Sequence, residues 1–282
     1  VEEEGVIEPK AKINTRAIVL EILLANEKEE RMTGIVIHDV LEQYAFLPAR
    51  DRAFIKNLAE GTVEREITLD YIINKFSKVN TNKMKPVVRC VLRMSVYQLY
   101  FMNHVPASAV CNEAVKMVRK KHMNGLTGFV NGVLRKISSE KPEIEEIEDL
   151  SIRFSMPEWI VARFRKDAGE EKALGMLKAS VGTRPVFIRT NTSRISPAEL
   201  KSLLEDEGVK CEIVDSVDYA FKISGFERLY DLQSFNDGYF SVQDISSMAV
   251  GELLQIKEGM QVVDVCAAPG GKSCHAAELL RG

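Results

Sequence analysis

Residues 262–282, VVDVCAAPGGKSCHAAELLRG, combine residue types and spacing that suit ligand binding. The apolar run VVDVC, with its single acid, is typical of a buried parallel strand, and a helix is expected from about Ser273. Small residues in the loop between them let a ligand approach the backbone closely. Free N–H groups and the dipole at the helix start favour a carboxylate or a phosphate. This order of elements predicts the beginning of a doubly wound α/β fold.

The loop fits neither of two common nucleotide-binding patterns. A Walker loop requires G-x-x-x-x-G-K-[ST], and Cys266 stands where its first glycine should be, although Gly271, Lys272 and Ser273 supply its end. The dinucleotide pattern GxGxxG is absent. A turn that only connects a strand to a helix stays open as the plain structural alternative. For Cys266 and Cys274 we expect structural or pocket-lining roles, because small buried thiols are common.

Charge is distributed unevenly along the 282 residues. The formal net charge is −3, yet residues 10–140 carry 21 Lys and Arg against 13 Asp and Glu. Such a segment suits a polyanion such as nucleic acid, and a solvated surface with scattered lysines explains it equally well. The five cysteines form no CxxC pair, which predicts reduced thiols, a cytoplasmic protein and no metal site. We expect no membrane span, because no apolar run reaches about 18 residues.

The elements that position the loop follow from the spacing of apolar residues. Helical spacing covers most of the chain up to residue 137 and predicts an all-α domain of at least six helices, at 15–26, 49–65, 66–76, 83–101, 105–122 and 125–137. The charged stretch 141–150 opens with a proline and predicts a linker.

Beyond residue 150 the pattern changes to mixed helices and strands. Two helices are predicted at 156–169 and 170–181, strands at 184–192, 210–214 and 219–223, and a further helix at 244–254. Ser196, Pro197 and Glu199 form a capping box with proline at the first helical position. The predicted organisation is therefore an all-α domain at 10–140, a linker at 141–155, a small α+β domain at 156–237 and the start of a Rossmann-like domain at 238–282.

These segments resemble a known enzyme family. DVCAAPGGK (264–272) resembles the S-adenosyl-L-methionine motif of RNA cytosine-5 methyltransferases of the Nol/Nop/Sun type, and GYFSVQDISSMAV (238–250) resembles the segment that precedes it. PEWIVARF (157–164) and RPVFIRTN (184–191) resemble the small ferredoxin-like or RRM-like domain of that family. Residues 45–137 resemble a NusB-type RNA-binding domain. This order of domains is the layout of the bacterial Sun-type enzymes.

The resemblance implies a cofactor, a substrate and a mechanism. The implied cofactor is S-adenosyl-L-methionine, bound by Cys266, Ala267, Ala268, Pro269, Gly270, Gly271 and Lys272. The implied reaction methylates carbon 5 of a cytosine in small-subunit ribosomal RNA, using one cysteine in a Thr-Cys motif and one in a Pro-Cys motif. Neither dipeptide occurs in the 282 residues, so we expect no catalytic residue in this chain. We expect the front part of a longer enzyme, inactive by itself, with weak or no cofactor affinity. The alternative is a non-enzymatic, NusB-like RNA-binding or transcription antitermination module.

Candidate RNA contacts lie at two helix ends. They are Arg50 and Arg52 at a helix start, and Lys116, Arg119, Lys120 and Lys121 near a helix C-terminus. Cations at a C-terminus also interact well with the helix dipole, which explains the second group equally well. Arg89 and Arg93 share a helix face, and Arg189 on the polar side of a strand is a weaker candidate. We expect Trp159 to pack in a core.

Overall fold

The computed structural model describes residues 13–28, 33–182, 185–226 and 228–280. The chain divides into two compact units, Val1–Gly182 and Thr183–Gly282. Within the described ranges, no helix is both long and apolar enough to cross a membrane. In the same ranges, no group of three or more His, Cys, Asp or Glu is placed to hold a metal ion.

The first unit is helical. Its described helices are α1 (Thr15–Lys28), α2 (Thr33–Gln43), α3 (Ala49–Glu64), α4 (Glu66–Phe76), α5 (Pro86–Phe101), α6 (Ala107–Lys120), α7 (Thr127–Glu140), α8 (Leu150–Phe154) and α9 (Glu158–Ser180). The six helices predicted from apolar spacing are confirmed as α1 and α3 to α7. Helix α2 was not predicted, and only Val36 and Ile37 of it are buried. So narrow an apolar face gives a weak periodic signal.

Helix α5 forms the centre of this unit. Every side chain from Cys90 to Gln98 is buried, and α5 packs against α1, α3, α4, α6 and α7. Pro86 stands at its first turn, where the missing N–H costs nothing. Helix α3 approaches so closely that a Cβ on Gly61 would lie 2.1 Å from the ring of Tyr97. Burial of each Leu or Ile contributes about 1.5–3 kcal/mol, so this packing is the main source of the unit's stability.

A buried ion-pair network joins α1, α4 and α5. Arg93 is 8% exposed, and its guanidinium donates to both carboxylate oxygens of Asp70 at 2.7 Å. It also pairs with Glu66 at 2.9 Å and with Glu27 at 3.3 Å. Arg89 donates to both oxygens of Glu27 at 2.8 and 2.6 Å. The two arginines therefore hold helices together, which corrects the expectation of a shared face available to RNA.

Helices α8 and α9 belong to the first unit. The hydroxyl of Thr68 in α4 donates to the carbonyl of Ile152, so a helix inside the expected linker packs on the helical core. Gly169 interrupts α9 with φ 77° and ψ 169°, which agrees with the two helices predicted on either side of it. Trp159 is 71% exposed, and its predicted place in a core is wrong. Val161 is buried instead. Residues two positions apart on a helix point to nearly opposite sides, so Trp159 faces solvent when Val161 faces the core.

The second unit is an antiparallel sheet with helices. Its elements are β1 (Val186–Thr190), α10 (Pro197–Asp206), β2 (Lys210–Ile213), β3 (Ala220–Ser224), α11 (Gln233–Asn236), β4 (Phe240–Val242), α12 (Ile245–Leu254) and α13 (Gly271–Leu279). The strand order is β2-β3-β1-β4. The strands predicted at 184–192, 210–214 and 219–223 and the capping box of α10 are confirmed. Strand β4 was not predicted, because three residues give no readable alternation. The predicted domain boundaries stay predictions.

The two faces of the sheet are covered by different helices. Ile188, Phe221 and Phe240 pack with the buried leucines of α10. On the other face, Phe187 and Ala220 pack with Met248 of α12. Arg189 pairs in register with Ala220 and Ser241, so it lies on this second face. Its side chain is 1% exposed, which corrects its expected exposure as an RNA candidate.

The strand predicted at 262–266 is not formed. Val263 and Val265 are 84% and 89% exposed, and the stretch pairs with none of the described strands. An isolated strand cannot satisfy its backbone groups or bury its side chains, so apolar composition alone does not produce one. The helix expected from about Ser273 is present as α13.

Candidate functional site

A cleft of about 250 Å³ opens in the second unit, where two segments distant in sequence meet. One segment runs from the end of β4 into α12, and the other is the loop before α13. The described residues that line it are Val242, Gln243, Asp244, Ser247, Asp264, Cys266, Ala267, Ala268, Pro269, Gly271 and Lys272. The fold therefore brings together the two segments, 238–250 and 264–272, that carry the family resemblance.

Asp264 closes the loop onto the start of α13. Its carboxylate accepts hydrogen bonds from the Ser273 hydroxyl at 2.7 Å and from the Cys266 N–H at 3.1 Å. These bonds, the Ser273 bond first, hold the pKa of Asp264 below its usual value. The carboxylate therefore stays ionised at neutral pH beside the cleft.

Two glycines keep the loop open at the helix start. Gly270 is the N-cap of α13 with φ 101°, a left-handed conformation that L side chains rarely adopt. A Cβ on Gly271 would meet no atom within 4 Å, so the missing side chain leaves free space beside the cleft. Among the described residues, no side chain caps the first N–H groups of α13. The helix start can therefore donate to a polar group of a ligand.

Asp244 brings a second carboxylate to the cleft. It caps α12 by accepting hydrogen bonds from the N–H of Ser246 at 2.9 Å and from its hydroxyl at 2.7 Å, and these lower the pKa of Asp244. With Asp264 and Lys272 it gives the cleft two negative charges and one positive charge. Two carboxylates repel a polyphosphate, so the arrangement argues against a phosphate loop and suits a ligand that carries positive charge.

The sequence prediction missed the residues on the β4–α12 side. Asp244 and Ser247 lie in the segment 238–250, but the resemblance implies ligand contacts only at 266–272. Gln243, the residue before Asp244, is buried and its N–H donates to the carbonyl of Phe187 at 3.1 Å. An acid directly before a helix was a usable signal, because such residues cap helices and their side chains sit at the helix entrance.

Some of the predicted RNA-binding cations already contact groups of the protein, and others have no side-chain partner among the described residues. Arg52 donates to the carbonyls of Ala45 and Leu47 at 2.9 and 2.8 Å, so it fixes the turn between α2 and α3. Lys116 pairs with Glu113 at 2.8 Å, one turn earlier on α6. Arg50 is exposed at the start of α3.

Arg119, Lys120 and Lys121 are exposed at the end of α6 and the turn after it. Within the described residues, none of the three has a hydrogen bond or ion pair to a side chain. They form a group of adjacent cations whose charge is available to a partner in solution, in addition to its favourable interaction with the helix dipole.

Comparison with known proteins gives two family matches. Residues 13–139 match the NusB family, and residues 156–228 match the family described as "Methyltr_RsmF/B-like, ferredoxin-like domain". The second match covers β1 to β3 but ends before β4. The cleft therefore lies outside both matched ranges.

Curated relatives align with nearly the whole chain. "Probable ribosomal RNA small subunit methyltransferase B" of Bacillus subtilis (strain 168) is 33% identical over 275 residues, 96% of this chain and 61% of that protein. A relative with the same name from Synechocystis sp. is 27% identical over 95% of this chain and 61% of its own length. The chain thus spans about 61% of the length of these two relatives and covers their N-terminal part.

A solved structure shares the fold. The protein described as "Crystal Structure of PH0851" superposes with a TM-score of 0.68 at 23% identity, covering 97% of this chain and 62% of that chain. At this identity the likeness concerns the fold alone.

Proposed function

We propose that the chain carries the RNA-binding and cofactor-loop regions of a ribosomal RNA small subunit methyltransferase. It is a homologue of the proteins named ribosomal RNA small subunit methyltransferase B. It has a NusB domain followed by an RsmF/B-like ferredoxin-like domain. The observation that carries the proposal is the cleft in which residues 242–247 meet the loop 264–272. Its charges and its glycine-opened helix start suit a small zwitterion better than a polyphosphate.

We assign S-adenosyl-L-methionine to this cleft. The cofactor supplies an electrophilic methyl group on a positively charged sulfur, beside an amino acid end with one ammonium and one carboxylate. Asp244 and Asp264 would offset the positive charges, and Lys272 with the free N–H groups of α13 would hold the carboxylate. Cys266, Ala267, Ala268, Pro269, Gly270 and Gly271 would form the loop wall.

The proposed substrate is a cytosine of small-subunit ribosomal RNA, methylated at carbon 5. The cations at Arg50, Arg119, Lys120 and Lys121 would contact RNA phosphates, whereas Arg52 and Lys116 already serve internal contacts. Because the chain contains neither Thr-Cys nor Pro-Cys, we name no catalytic residue in it. We propose that the 282 residues alone do not transfer a methyl group.

The cofactor proposal is tested by calorimetric titration of the chain with S-adenosylhomocysteine. The sequence alone predicts weak or no affinity, but the cleft leads us to expect weak, still measurable binding. Asp244→Asn should weaken it about tenfold, as the loss of one charge contact in a partly open cleft would do. Asp215→Asn removes an exposed acid of the same unit outside the cleft and should leave affinity unchanged. Absence of binding to the unaltered chain would contradict the cofactor assignment for these residues.

The RNA proposal is tested by binding of a small-subunit ribosomal RNA fragment at several salt concentrations. Arg119→Gln, Lys120→Gln and Lys121→Gln together should weaken binding and reduce the salt slope by about two to three. The matched control replaces three other exposed lysines, Lys75, Lys78 and Lys83, by Gln and should leave the slope unchanged. RNA binding without any cofactor binding would favour the alternative, a non-enzymatic NusB-like module.

A further inference from the structure

We propose that Arg189 of strand β1 is a positioning residue: through Glu278 it holds helix α13, and so fixes the loop 264–272 at the cleft. The proposal rests on the proposed function only in naming that loop the cofactor loop. The ion pair ties the ferredoxin-like sheet to the helix that begins at the loop, across 89 positions of sequence.

The ion pair is buried, and no other described carboxylate pairs with Arg189. Arg189 is 1% exposed, and its Nη2 donates to Glu278 at 2.8 Å. Nε and Nη1 of the same guanidinium have no hydrogen-bond partner among the described residues. Glu278 is the one carboxylate that Arg189 pairs with in those residues, so losing it leaves a buried cation without compensation.

A second contact seats the same helix one turn earlier. His275 is buried, and its ring meets the ring of Tyr219 edge to face at 5.3 Å between centroids. It occupies space left by Gly251 in α12, where a Cβ would lie 2.6 Å from Cε1 of His275. The Tyr219 hydroxyl donates in turn to Glu252 of α12. Helix α13 is therefore located against both β1 and α12.

The position of α13 determines the position of the loop. The helix starts at Gly271, directly after the N-cap Gly270, and Ser273 in its first turn holds Asp264 at the other end of the loop. A shift of α13 would move both the free N–H groups and Lys272 relative to Asp244. Since Asp244 caps α12 and the free N–H groups belong to α13, the cleft keeps its shape only while the two helices keep their relative position.

Hydrogen–deuterium exchange on the full chain without ligand tests the proposal. Arg189→Gln should speed exchange of the α13 amides by at least about 150-fold, which corresponds to the loss of stability expected when a buried pair is broken. The amides that join β2 to β3 should keep their rates. Arg189→Lys keeps the charge and should restore part of the protection. Lys222→Gln breaks an exposed pair with Glu212 on the same sheet and should change nothing.

Glu278→Gln provides an independent variant that leaves the sheet untouched. It should reproduce the effect of Arg189→Gln, and the double variant should exchange no faster than either single one, because the same contact is broken once. Unchanged α13 protection in both single variants would overturn the proposal. Equal acceleration in the β2–β3 amides would also overturn it, since it would indicate general destabilisation rather than positioning. Cofactor binding is measured separately, so its failure would contradict the proposed function and not the positioning role.

Discussion

Among the described residues, each unit buries one arginine, and the two arginines are paired in different ways. Arg93 in the helical unit meets three carboxylates, Asp70, Glu66 and Glu27. Arg189 in the sheet unit meets Glu278, its one paired carboxylate within the described residues. The first arrangement shares its charge among three helices of one core, whereas the second depends on a single contact between a sheet and one helix.

The difference separates a redundant stabilising network from a single positional contact. Removing one acid from the Arg93 group leaves its guanidinium with two other acceptors, so the helices stay joined. Removing Glu278 leaves Arg189 buried and uncompensated, which costs more because desolvation is no longer offset. The Arg93 network therefore stabilises the helical core as a whole. The Arg189–Glu278 pair fixes the position of one helix, α13.

The largest expected effect compares the two kinds of pair directly. Glu278→Gln should lower the free energy of opening of α13 by about 3–5 kcal/mol, because Arg189 loses the one carboxylate that it pairs with among the described residues. Glu66→Gln should lower the free energy of opening of α4 by about 1 kcal/mol, because Arg93 keeps Asp70 and Glu27. Native-state hydrogen exchange measures both quantities. Equal losses would show that the redundancy of the Arg93 network has no energetic consequence.

Acidification should act on the second unit through His275. Burial, and then the charge of Arg189, lowers the pKa of His275 to about 4 from 6.5. The folded state binds the proton on His275 less well than the unfolded state does. The contribution of His275 to the free energy of unfolding is therefore fully present above pH 6.5 and is lost as the pH falls towards 4. The full loss is about 3 kcal/mol, at about 1.4 kcal/mol per pH unit. Burial raises the pKa of Glu278, so the folded state binds this proton more tightly than the unfolded state. Protonation of Glu278 therefore adds stability as the pH falls, which opposes the effect of His275.

This pH dependence is measured as the free energy of opening of α13 between pH 7 and 4, corrected for intrinsic exchange. His275→Gln should remove most of the slope, since no titrating ring remains beside Tyr219 and Arg189. His104→Gln replaces an exposed histidine of the helical unit and should retain the slope. A slope that persists in His275→Gln would assign the effect to other groups.

The smallest effect contrasts two glycines under the same substitution. Gly251→Ala should destabilise the second unit by about 1–3 kcal/mol, because its Cβ would press on His275. Gly132→Ala on α7 meets no atom within 4 Å and should stabilise the helical unit by up to about 1 kcal/mol. Thermal unfolding of both variants gives the two signs. A stabilising Gly251→Ala would contradict the tight seating of α13.

Local signals account for most of what could be predicted. The capping box of Ser196 and Glu199 placed the start of α10 to the residue, because its hydrogen bonds involve only neighbours. The apolar spacing of 83–101 predicted the central helix for the same reason. The order strand, loop and helix drew attention to 264–272, and the family resemblance implied its ligand residues. The fold places all of these implied residues but Gly270 at the cleft.

Misplaced residues depended on partners distant in sequence. The sequence predicts that Arg189 is exposed on a strand, but α12 and α13 cover that face of the sheet. It predicts that Trp159 lies in a core, but α9 directs Val161 inward instead. VVDVC has the composition of a strand but pairs with none of the described strands. In each case the burial or pairing of the residue depends on segments that are distant in sequence.

The sequence by itself determined the helices, the capping signals, the glycine loop and the distribution of charge, because each depends on neighbours within a few residues. Only the tertiary structure decided that β4 and α12 meet the loop in one cleft, that Arg93 and Arg189 are buried, and that the cations at the end of α6 have no side-chain partner among the described residues. Those outcomes depend on which distant surfaces exclude water together, and no local pattern encodes that pairing.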